Sequence, residues 1–297
     1  MCRSSHMTPR VQQRPRLDYD DRMIPTTTLA DGTTLPLLGQ GTWHIGDEPE
    51  RRKTEIASLR EGIELGMTLV DTAEMYGSGR SESLVGEAIA SVRDEVFLVD
   101  KVLPTNASES GTIEACERSL AVLGTERIDL YLLHWPGAHP VDDTIAAFDR
   151  LRDRGLIGAW GVSNFDPAEI GALSSAPLVN QILLNPSRRG PEFDLLPNHR
   201  SSRPHITTMA YSPVEQGRLL DDPTLAEVAD RHEATTAQIL LAWAIRSGDV
   251  IAIPKASTPE HVRANAEAAE LDLTSRDFAD IDSAFPAPTA PTPLEVI

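Results

Sequence analysis

The sequence predicts an α/β protein, a (β/α)8 TIM barrel with an N-terminal β-hairpin and extra helices. Eight strand-like apolar runs begin near positions 37, 68, 96, 129, 159, 179, 206 and 250, and each is followed by helical sequence. Most of these runs are continuously apolar rather than alternating, which is typical of parallel strands buried on both faces. Because no composition break or linker interrupts the series, we expect one barrel domain over residues 24–297.

A short hairpin at 26–35 precedes the predicted barrel, with Asp31-Gly32 as its turn. Asp-Gly between two short runs of β-forming residues is a strong hairpin signal, because glycine accepts the left-handed backbone that such a turn requires. The predicted barrel strands are 37–43, 68–71, 96–100, 129–135, 159–162, 179–184, 206–211 and 250–253.

Helices are predicted where apolar residues recur at helical spacing, as Ile56, Leu59 and Ile63 do. Gly155 suits a helix C-cap, and Pro167 suits a first helical turn. The predicted helices are 50–65, 81–91, 108–123, 142–154, a short one from about 166, 222–232, 235–247, 259–269 and 275–284, with 190–203 partly helical and the tail from 285 irregular.

The composition limits the class of protein. The 297 residues are 40% hydrophobic and 24% charged, and no run approaches the ~18 apolar residues of a membrane helix. A net charge of −18 predicts that the chain repels nucleic acid and anionic membranes. With Cys2 and Cys116 as the only cysteines and no metal-binding histidine motif, we expect neither a disulfide framework nor a metal site. Residues 1–23 lack the apolar segment of a signal peptide, so we expect a disordered leader and a cytoplasmic location. The sequence does not fix the oligomeric state, and a monomer is the default expectation.

Lysine is rare in this chain. Of 27 basic residues only three are lysine, namely Lys53, Lys101 and Lys255. A chain that otherwise uses arginine is expected to keep a lysine where a compact ammonium is needed. Lys53 lies in a charged helical segment and is expected to be solvated, whereas Lys101 and Lys255 follow apolar strands.

Polar residues stand directly after the apolar runs at several strand ends. Since the carboxyl ends of barrel strands converge on one mouth, we expect these residues to form one site. Alone, His134 is more simply a core histidine and Lys255 a surface lysine; their convergence favours a site, because an unsatisfied buried polar group costs about 1–3 kcal/mol. These residues are Asp71, Tyr76, Lys101, His134, Ser163, Asn164, Gln181, Tyr211 and Lys255.

These residue types suit the protonation of a developing alkoxide. A phenol is protonated at neutral pH, and a neighbouring ammonium would favour its anion, so Tyr76 beside Lys101 is a candidate acid. Asp71 would hold Lys101 charged, and His134 would orient a substrate carbonyl. Such a cluster brings no reductant, so a hydride-donating cofactor is implied. Tyr211 offers a flat face for a nicotinamide, and the polar side chains of 163, 164 and 181 suit its carboxamide.

A series of short motifs runs along the chain: Gly39-Gln-Gly-Thr-Trp43, Asp71-Thr-Ala-x-x-Tyr76-Gly77, Lys101, Leu132-Leu-His-Trp-Pro136, Gly161-Val-Ser-Asn-Phe165, Asn180-Gln181, Ala210-Tyr-Ser-Pro213 and Ile253-Pro-Lys255. Each motif is weak alone, but all of them in order are specific. Through these motifs the chain resembles the aldo-keto reductases from about Leu37 to Ala284, and the sequence around 71–75 and 253–265 resembles bacterial members that reduce methylglyoxal and diketo sugar acids. The resemblance implies a (β/α)8 barrel and NADPH-dependent reduction of small aldehydes and ketones.

The resemblance also assigns roles to positions of this sequence. It places a catalytic tetrad on Asp71, Tyr76, Lys101 and His134. It places nicotinamide contacts on Ser163, Asn164, Gln181 and Tyr211, and 2′-phosphate and adenine contacts on Lys255, Ser257, His261 and Asn265. The other implied cofactor contacts are Gly41, Thr42, Ser212, Pro213, Val214, Gln216, Gly217 and Arg218, and the implied substrate-pocket residues are Trp43, Met75 and Trp135.

The sequence departs from the family pattern at several positions. His261 stands where many relatives have arginine, and Ala256 replaces a common serine. A histidine lacks the bidentate fork of arginine, so the preference for NADPH is expected to weaken and NADH becomes an alternative cofactor. Asp100 replaces a small or hydroxyl residue and is expected to face away from the mouth. Asn185 stands near a position that is often histidine, and we assign it no role.

Two other classes of protein are disfavoured by the motifs, and two alternatives stay open. A Rossmann dehydrogenase is disfavoured because no G-x-G-x-x-G follows the first strand, and the segment at 161–165 is not a serine-hydrolase nucleophile elbow. A Schiff-base aldolase on the same barrel is the alternative enzyme, because two lysines follow strands. An NADP(H)-binding redox-sensing subunit with negligible turnover is the alternative outside enzymes.

The substrate pocket is expected to take its shape from the segments 213–222 and 285–297.

Overall fold

The computed structural model describes residues 24–297, and the predicted leader at 1–23 lies outside the described residues. The predicted hairpin is confirmed: β1 (Thr26–Thr28) pairs antiparallel with β2 (Thr34–Pro36). Gly32 has φ +91°, and the Asp31 carboxylate accepts a hydrogen bond from the Thr33 amide at 2.9 Å. The side chains of Leu29 and Leu35 join the core at the amino ends of the barrel strands, so the hairpin closes that end.

Eight parallel strands follow in chain order, as the sequence predicted. Every neighbouring pair in this sheet is parallel and consecutive in sequence. The unbroken series supports our proposal that 24–297 form one domain. The strands are β3 (Gln40–Gly41), β4 (Leu69–Asp71), β5 (Phe97–Val102), β6 (Ile128–Leu133), β7 (Ile157–Ser163), β8 (Val179–Leu183), β9 (Thr207–Tyr211) and β10 (Val250–Ala252).

The barrel closes between its first and last strands through isolated bridges. Leu38 bridges Ala252 and Gly41 bridges Lys255, both in parallel orientation. A Cβ on Gly41 would lie 2.6 Å from the carbonyl oxygen of Ile253, so only glycine permits this approach. The ladder of the first strand is much shorter than the predicted 37–43, because pairing on the β10 side is limited to these bridges and the chain turns at 42–45.

Helices cover the barrel close to where the sequence placed them. Side chains cap several amino ends, including a reciprocal capping box at Asp166 and another at Thr235. No helix within 24–297 is long and apolar enough to span a membrane. The helices are α1 (Arg52–Glu64), α2 (Arg80–Ile89), α3 (Glu109–Leu123), α4 (Val141–Asp153), α5 (Pro167–Gly171), α6 (Leu195–Ser201), α7 (Pro223–Arg231), α8 (Thr236–Ile245), α9 (Pro259–Glu267) and α10 (Ser275–Ala284).

Strand β5 carries two buried ionisable groups in succession. Because side chains alternate along a strand, Lys101 enters the barrel while Asp100 faces the helical layer, away from the mouth. Asp100 is fully buried, and within the described residues no donor bonds to either of its carboxyl oxygens. Burial raises the pKa of Asp100 well above its ordinary value, and the nearby Glu82 on α2 raises it further. Burial therefore favours the neutral form of this carboxyl.

Substitution Gly86→Ala tests the packing of α2 on α3. A Cβ at this position would lie 2.2 Å from the Leu123 carbonyl oxygen at the end of α3, so the two helices must separate. We expect a loss of about 1–3 kcal/mol in the free energy of unfolding, measured by denaturant titration. Gly171→Ala is the control, since nothing lies within 4 Å of its added Cβ, and we expect a change within about 0.5 kcal/mol. Equal effects in the two variants would contradict this packing.

Substitution Asp100→Asn is expected to flatten the pH dependence of stability. The folded pKa of Asp100 lies above the unfolded value of about 3.9, so the stability it contributes is complete below that value and is lost as pH rises towards the folded pKa. Melting temperatures between pH 5 and pH 9 should therefore fall more steeply with pH for the wild type than for the variant. Asp149→Asn removes an exposed carboxylate and should run parallel to the wild type. Parallel curves for Asp100→Asn would mean that this carboxyl is already ionised in the folded state.

Candidate active site

The carboxyl ends of the barrel strands surround a cavity of about 470 Å³. Lys101 does not line the cavity but contacts the lining residue Tyr76. Four other predicted residues lie outside the lining: Arg218, Ser257, His261 and Asn265. The predicted residues that line the cavity are Gly41, Thr42, Trp43, Asp71, Met75, Tyr76, His134, Trp135, Ser163, Asn164, Gln181, Tyr211, Ser212, Pro213, Val214, Gln216, Gly217 and Lys255.

The ammonium of Lys101 is enclosed by the end of β4. Its Nζ donates to Asp71 Oδ1 at 2.6 Å, to the Thr72 carbonyl oxygen at 2.8 Å and to the Tyr76 hydroxyl at 3.3 Å. Lys101 is 0% exposed and Asp71 only 2%. Three acceptors thus match the three protons of a charge that has no access to water.

Tyr76 lies beside this ammonium at the end of a turn after β4, in which the Tyr76 amide donates to the Ala73 carbonyl oxygen at 2.9 Å, and a second sharp turn follows it directly. Gly77 and Ser78 have φ of +58° and +54°, in the left-handed region. A Cβ on Gly77 would lie 2.8 Å from an oxygen of Asp47, so the turn needs glycine there. The glycine that follows the phenol in the motif is therefore required by the turn that leads from Tyr76 to α2.

The pKa values follow from burial and from the ion pair. Burial raises the pKa of the Tyr76 phenol above its ordinary value, and Lys101 opposes this rise without reversing it. The sequence predicted the influence of Lys101 but not that burial outweighs it. Burial by itself lowers the pKa of Lys101, but Asp71 and Tyr76 together raise it by more, so the lysine stays charged. The phenol is consequently a protonated donor beside a fixed cation.

His134 stands at the edge of the Tyr76 ring. The two ring centroids are 5.8 Å apart in an edge-on arrangement. Burial and, to a smaller extent, the charge of Lys101 lower the pKa of His134 to about 2, so the imidazole is neutral. Its Nδ1 is buried with no partner among the described residues. A neutral imidazole beside a phenol can orient a carbonyl oxygen without competing for its proton.

Strands β7, β8 and β9 supply a polar wall opposite the phenol. Gln181 Nε2 donates to Asp71 Oδ2 at 2.7 Å, which fixes the carboxylate from a second side. Asn164 has φ +61°; its amide donates to the His134 carbonyl oxygen at 3.1 Å and accepts from the Tyr211 hydroxyl at 2.9 Å. Ser163 donates to the backbone of Gln181 at 2.9 Å. These bonds hold the Tyr211 ring in place beside amide and hydroxyl groups.

The far rim is built by the loop at 212–217. Ser212, Glu215 and Gln216 have positive φ, and Glu215 is buried where Asn185 donates to its carboxylate at 2.8 Å. Asn185 therefore has a structural partner that the sequence did not reveal. Arg218 is more than half exposed and hydrogen-bonds to Gln216 rather than lining the cavity.

The start of α9 forms a separate polar patch beyond Lys255. Ser257 Oγ is buried with no hydrogen-bond partner among the described residues, and Thr258 caps the helix by accepting from the His261 amide at 3.3 Å. A helix amino end, a nearby ammonium and an unsatisfied hydroxyl suit a phosphate group. His261 is exposed, and Asn265 is buried one turn further along the helix.

Four residues that line the cavity were not among the individually predicted site residues: His44, Ile253, Val296 and Ile297. His44 follows Trp43 in the first motif, and its Nδ1 lies 2.9 Å from Asp47 Oδ2; its place next to a motif residue was the available signal. Val296 and Ile297 belong to an irregular tail without periodicity, although the tail was expected to shape the pocket. Within 24–297 no cluster of His, Cys, Asp and Glu is arranged to hold a metal ion.

Comparisons with known proteins agree with this geometry. Residues 37–285 match the model of the aldo/keto reductase family. The chain is 46% identical over 274 residues to methylglyoxal reductase YeaE of Escherichia coli K12, covering 89% of this chain and 96% of that protein. It is 36% identical to an aldo-keto reductase of Mycolicibacterium smegmatis, covering 88% of this chain and 94% of that protein.

A solved structure of an aldo/keto reductase is also similar to this chain. The crystal structure of an aldo/keto reductase from Klebsiella pneumoniae in complex with NADP and acetate is similar with a TM-score of 0.88 and 39% identity. The similarity covers 92% of this chain and 99% of that one.

Proposed function

The chain belongs to the aldo/keto reductase family, and from that premise we propose that it reduces small aldehydes and ketones to alcohols with NADPH. Methylglyoxal is the first substrate to propose, because the similar E. coli protein is named a methylglyoxal reductase; diketo sugar acids belong to the same proposed class. The observation that carries the proposal is the Lys101 ammonium held between Asp71 and the Tyr76 hydroxyl at the cavity wall.

Tyr76 is the proposed proton donor to the carbonyl oxygen. Its raised pKa keeps the proton on the phenol until the oxygen develops negative charge, and Lys101, 3.3 Å away, stabilises the phenolate that remains. Neutral His134 hydrogen-bonds the same oxygen and orients the carbonyl. When bound, NADPH supplies the hydride that adds to the carbonyl carbon. Asp71 keeps the ammonium in place throughout.

The proposed cofactor seat follows the cavity from the tetrad to α9. The Tyr211 ring would take the nicotinamide, with Ser163, Asn164 and Gln181 beside its carboxamide. The loop at 212–218, together with Gly41 and Thr42, would take the pyrophosphate. Lys255, Ser257, His261 and Asn265 would take the adenosine end, and His261 leaves room for NADH.

Apolar side chains form the proposed substrate pocket. Trp43 and Met75 are 38% and 39% exposed at the mouth, and Trp135 packs beside the His134 ring with centroids 4.7 Å apart. Large half-exposed apolar side chains around a cavity are typical of a ligand site. Such walls favour small carbonyl compounds.

A cytoplasmic location and a monomeric state stay predictions from the sequence.

The two alternatives are less well supported. A Schiff-base aldolase needs a neutral lysine as nucleophile, whereas Lys101 is paired with Asp71 and stays charged. A redox-sensing subunit without turnover has no need of an assembled proton donor. The geometry around Tyr76 therefore favours catalysis.

Substitution Tyr76→Phe tests the proton donor. Removing the hydroxyl leaves the ring and the cavity shape, so we expect NADPH affinity within about twofold of the wild type while kcat falls by about 100-fold or more. Tyr131→Phe is the matched control, because it removes a fully buried hydroxyl without a partner from the barrel wall and should leave kcat unchanged. Stopped-flow reduction of methylglyoxal and fluorescence titration of NADPH measure both quantities. A kcat for Tyr76→Phe close to the wild-type value would exclude Tyr76 as the acid.

Substitution His261→Arg tests the cofactor assignment. An arginine here would add a bidentate donor for the 2′-phosphate, so we expect the kcat/KM ratio of NADPH to NADH to rise by about tenfold. His205→Arg adds the same charge at the start of β9, at the opposite end of the barrel, and should leave the ratio unchanged. The ratio is measured with methylglyoxal, simple aldehydes and ketones. If both substitutions shift this ratio equally, the added positive charge is responsible and not its position at 261.

A further inference from the structure

The C-terminal segment, 292–297, crosses the part of the chain that follows β8. It passes so close to Gly190 that a Cβ there would lie 2.5 Å from the Thr292 hydroxyl oxygen. Leu294 packs against an apolar cluster built by β8, α6, β9 and β10. The last two residues then form part of the cavity wall. The segment is thus attached to the barrel on one side and borders the proposed substrate pocket with its end.

One guanidinium holds both this segment and the far rim of the cavity. Arg188 donates from Nε and Nη2 to Glu215 Oε1 at 3.2 and 2.9 Å, and from Nη1 to the carboxylate of Glu295. Glu215 lies in the loop at 212–217, which also lines the cavity. Arg188 itself does not line the cavity, so any effect on the site must pass through its two partners.

The two ion pairs differ in burial. The Glu215 side chain is 4% exposed and that of Glu295 is 52% exposed. Burial by itself raises the pKa of Glu215, but the hydrogen bonds from Arg188 and Asn185, together with the charges of Arg188 and Arg218, lower it by more, so this carboxylate is ionised. The inner pair is therefore a fixed part of the loop, and the outer pair is one that water and salt can weaken.

We propose that Arg188 is a positioning residue that fastens the C-terminal segment to the loop at 212–217 and thereby sets the wall of the substrate pocket. The proposal rests on the proposed carbonyl reduction and adds to it a device that places Val296 and Ile297. Breaking only the outer pair should release the segment and leave the loop intact. Breaking both should also disturb the loop.

Substitution Glu295→Gln breaks the outer pair alone. We expect KM for methylglyoxal to rise by about two- to fivefold, with NADPH affinity unchanged, because the exposed pair is worth little but acts directly on the pocket wall. Carboxypeptidase should release Ile297 faster from this variant than from the wild type, as measured by mass spectrometry of the full chain. Raising the ionic strength should increase the wild-type KM towards that of the variant.

Arg188→Met and a matched control complete the experiment. Arg188→Met should raise KM at least as much as Glu295→Gln and should also weaken NADPH binding, while adding Glu295→Gln to it should change KM no further. Glu117→Gln breaks the Arg154–Glu117 pair, which is similarly exposed and far from the cavity, and should match the wild type in every measurement.

The outcomes separate the two proposals. If Glu295→Gln leaves both KM and the release of Ile297 at wild-type values, or changes KM without changing release, the positioning role is wrong. If the wild type reduces no carbonyl compound but Ile297 release follows the expected order, the C-terminal attachment stands and the proposed reaction fails. Additive effects of the two substitutions on KM would also overturn the role of Arg188.

Discussion

The burial of one ammonium governs the arrangement of this site. An unpaired charge in a protein interior costs several kcal/mol, so Lys101 requires its acceptors to be in place whenever the barrel is folded. Asp71 meets that requirement and is itself held by Gln181 from across the barrel. Strands β4, β5 and β8 are thereby linked through a single charge pair, and Tyr76 takes its position from it. The proposed proton donor is oriented by the same contacts that keep the interior electrically satisfied.

Strand β5 shows two solutions to the same physical problem. Lys101 faces inward and keeps its charge because a carboxylate lies 2.6 Å away. Asp100, its neighbour in sequence, faces outward into the helical layer, where burial raises its pKa and favours the neutral carboxyl instead. A negative charge at Asp100 would also raise the pKa of Tyr76, so the protonation of an acid outside the barrel bears on the phenol inside it.

The sequence predicted those parts of the molecule that rest on local patterns. The Asp31-Gly32 hairpin, the eight strands and the helices each leave a periodic or turn signal, and polar residues after apolar runs mark the strand ends that meet at the cavity. Contacts between distant segments leave no such signal: Arg188 lies 27 residues from Glu215 and 107 from Glu295. The sequence likewise did not reveal that the pKa of Tyr76 is raised, because burial depends on the whole barrel. The first strand was overestimated because its pairing is decided by β10, more than 200 residues away.

That distance has a consequence for how the barrel is assembled and kept shut. Every other strand pairs with its neighbour in sequence, whereas the seam between β3 and β10 joins the two ends of the fold through a few backbone bonds. Such a long-range contact carries the largest loop-closure entropy, so it is expected to form late and to fray first. Gly41 and Lys255 face each other across this seam and both border the cavity. A ligand that contacts both edges would hold β3 and β10 together where the barrel is most weakly closed. Ligand binding would then stabilise the whole fold against opening.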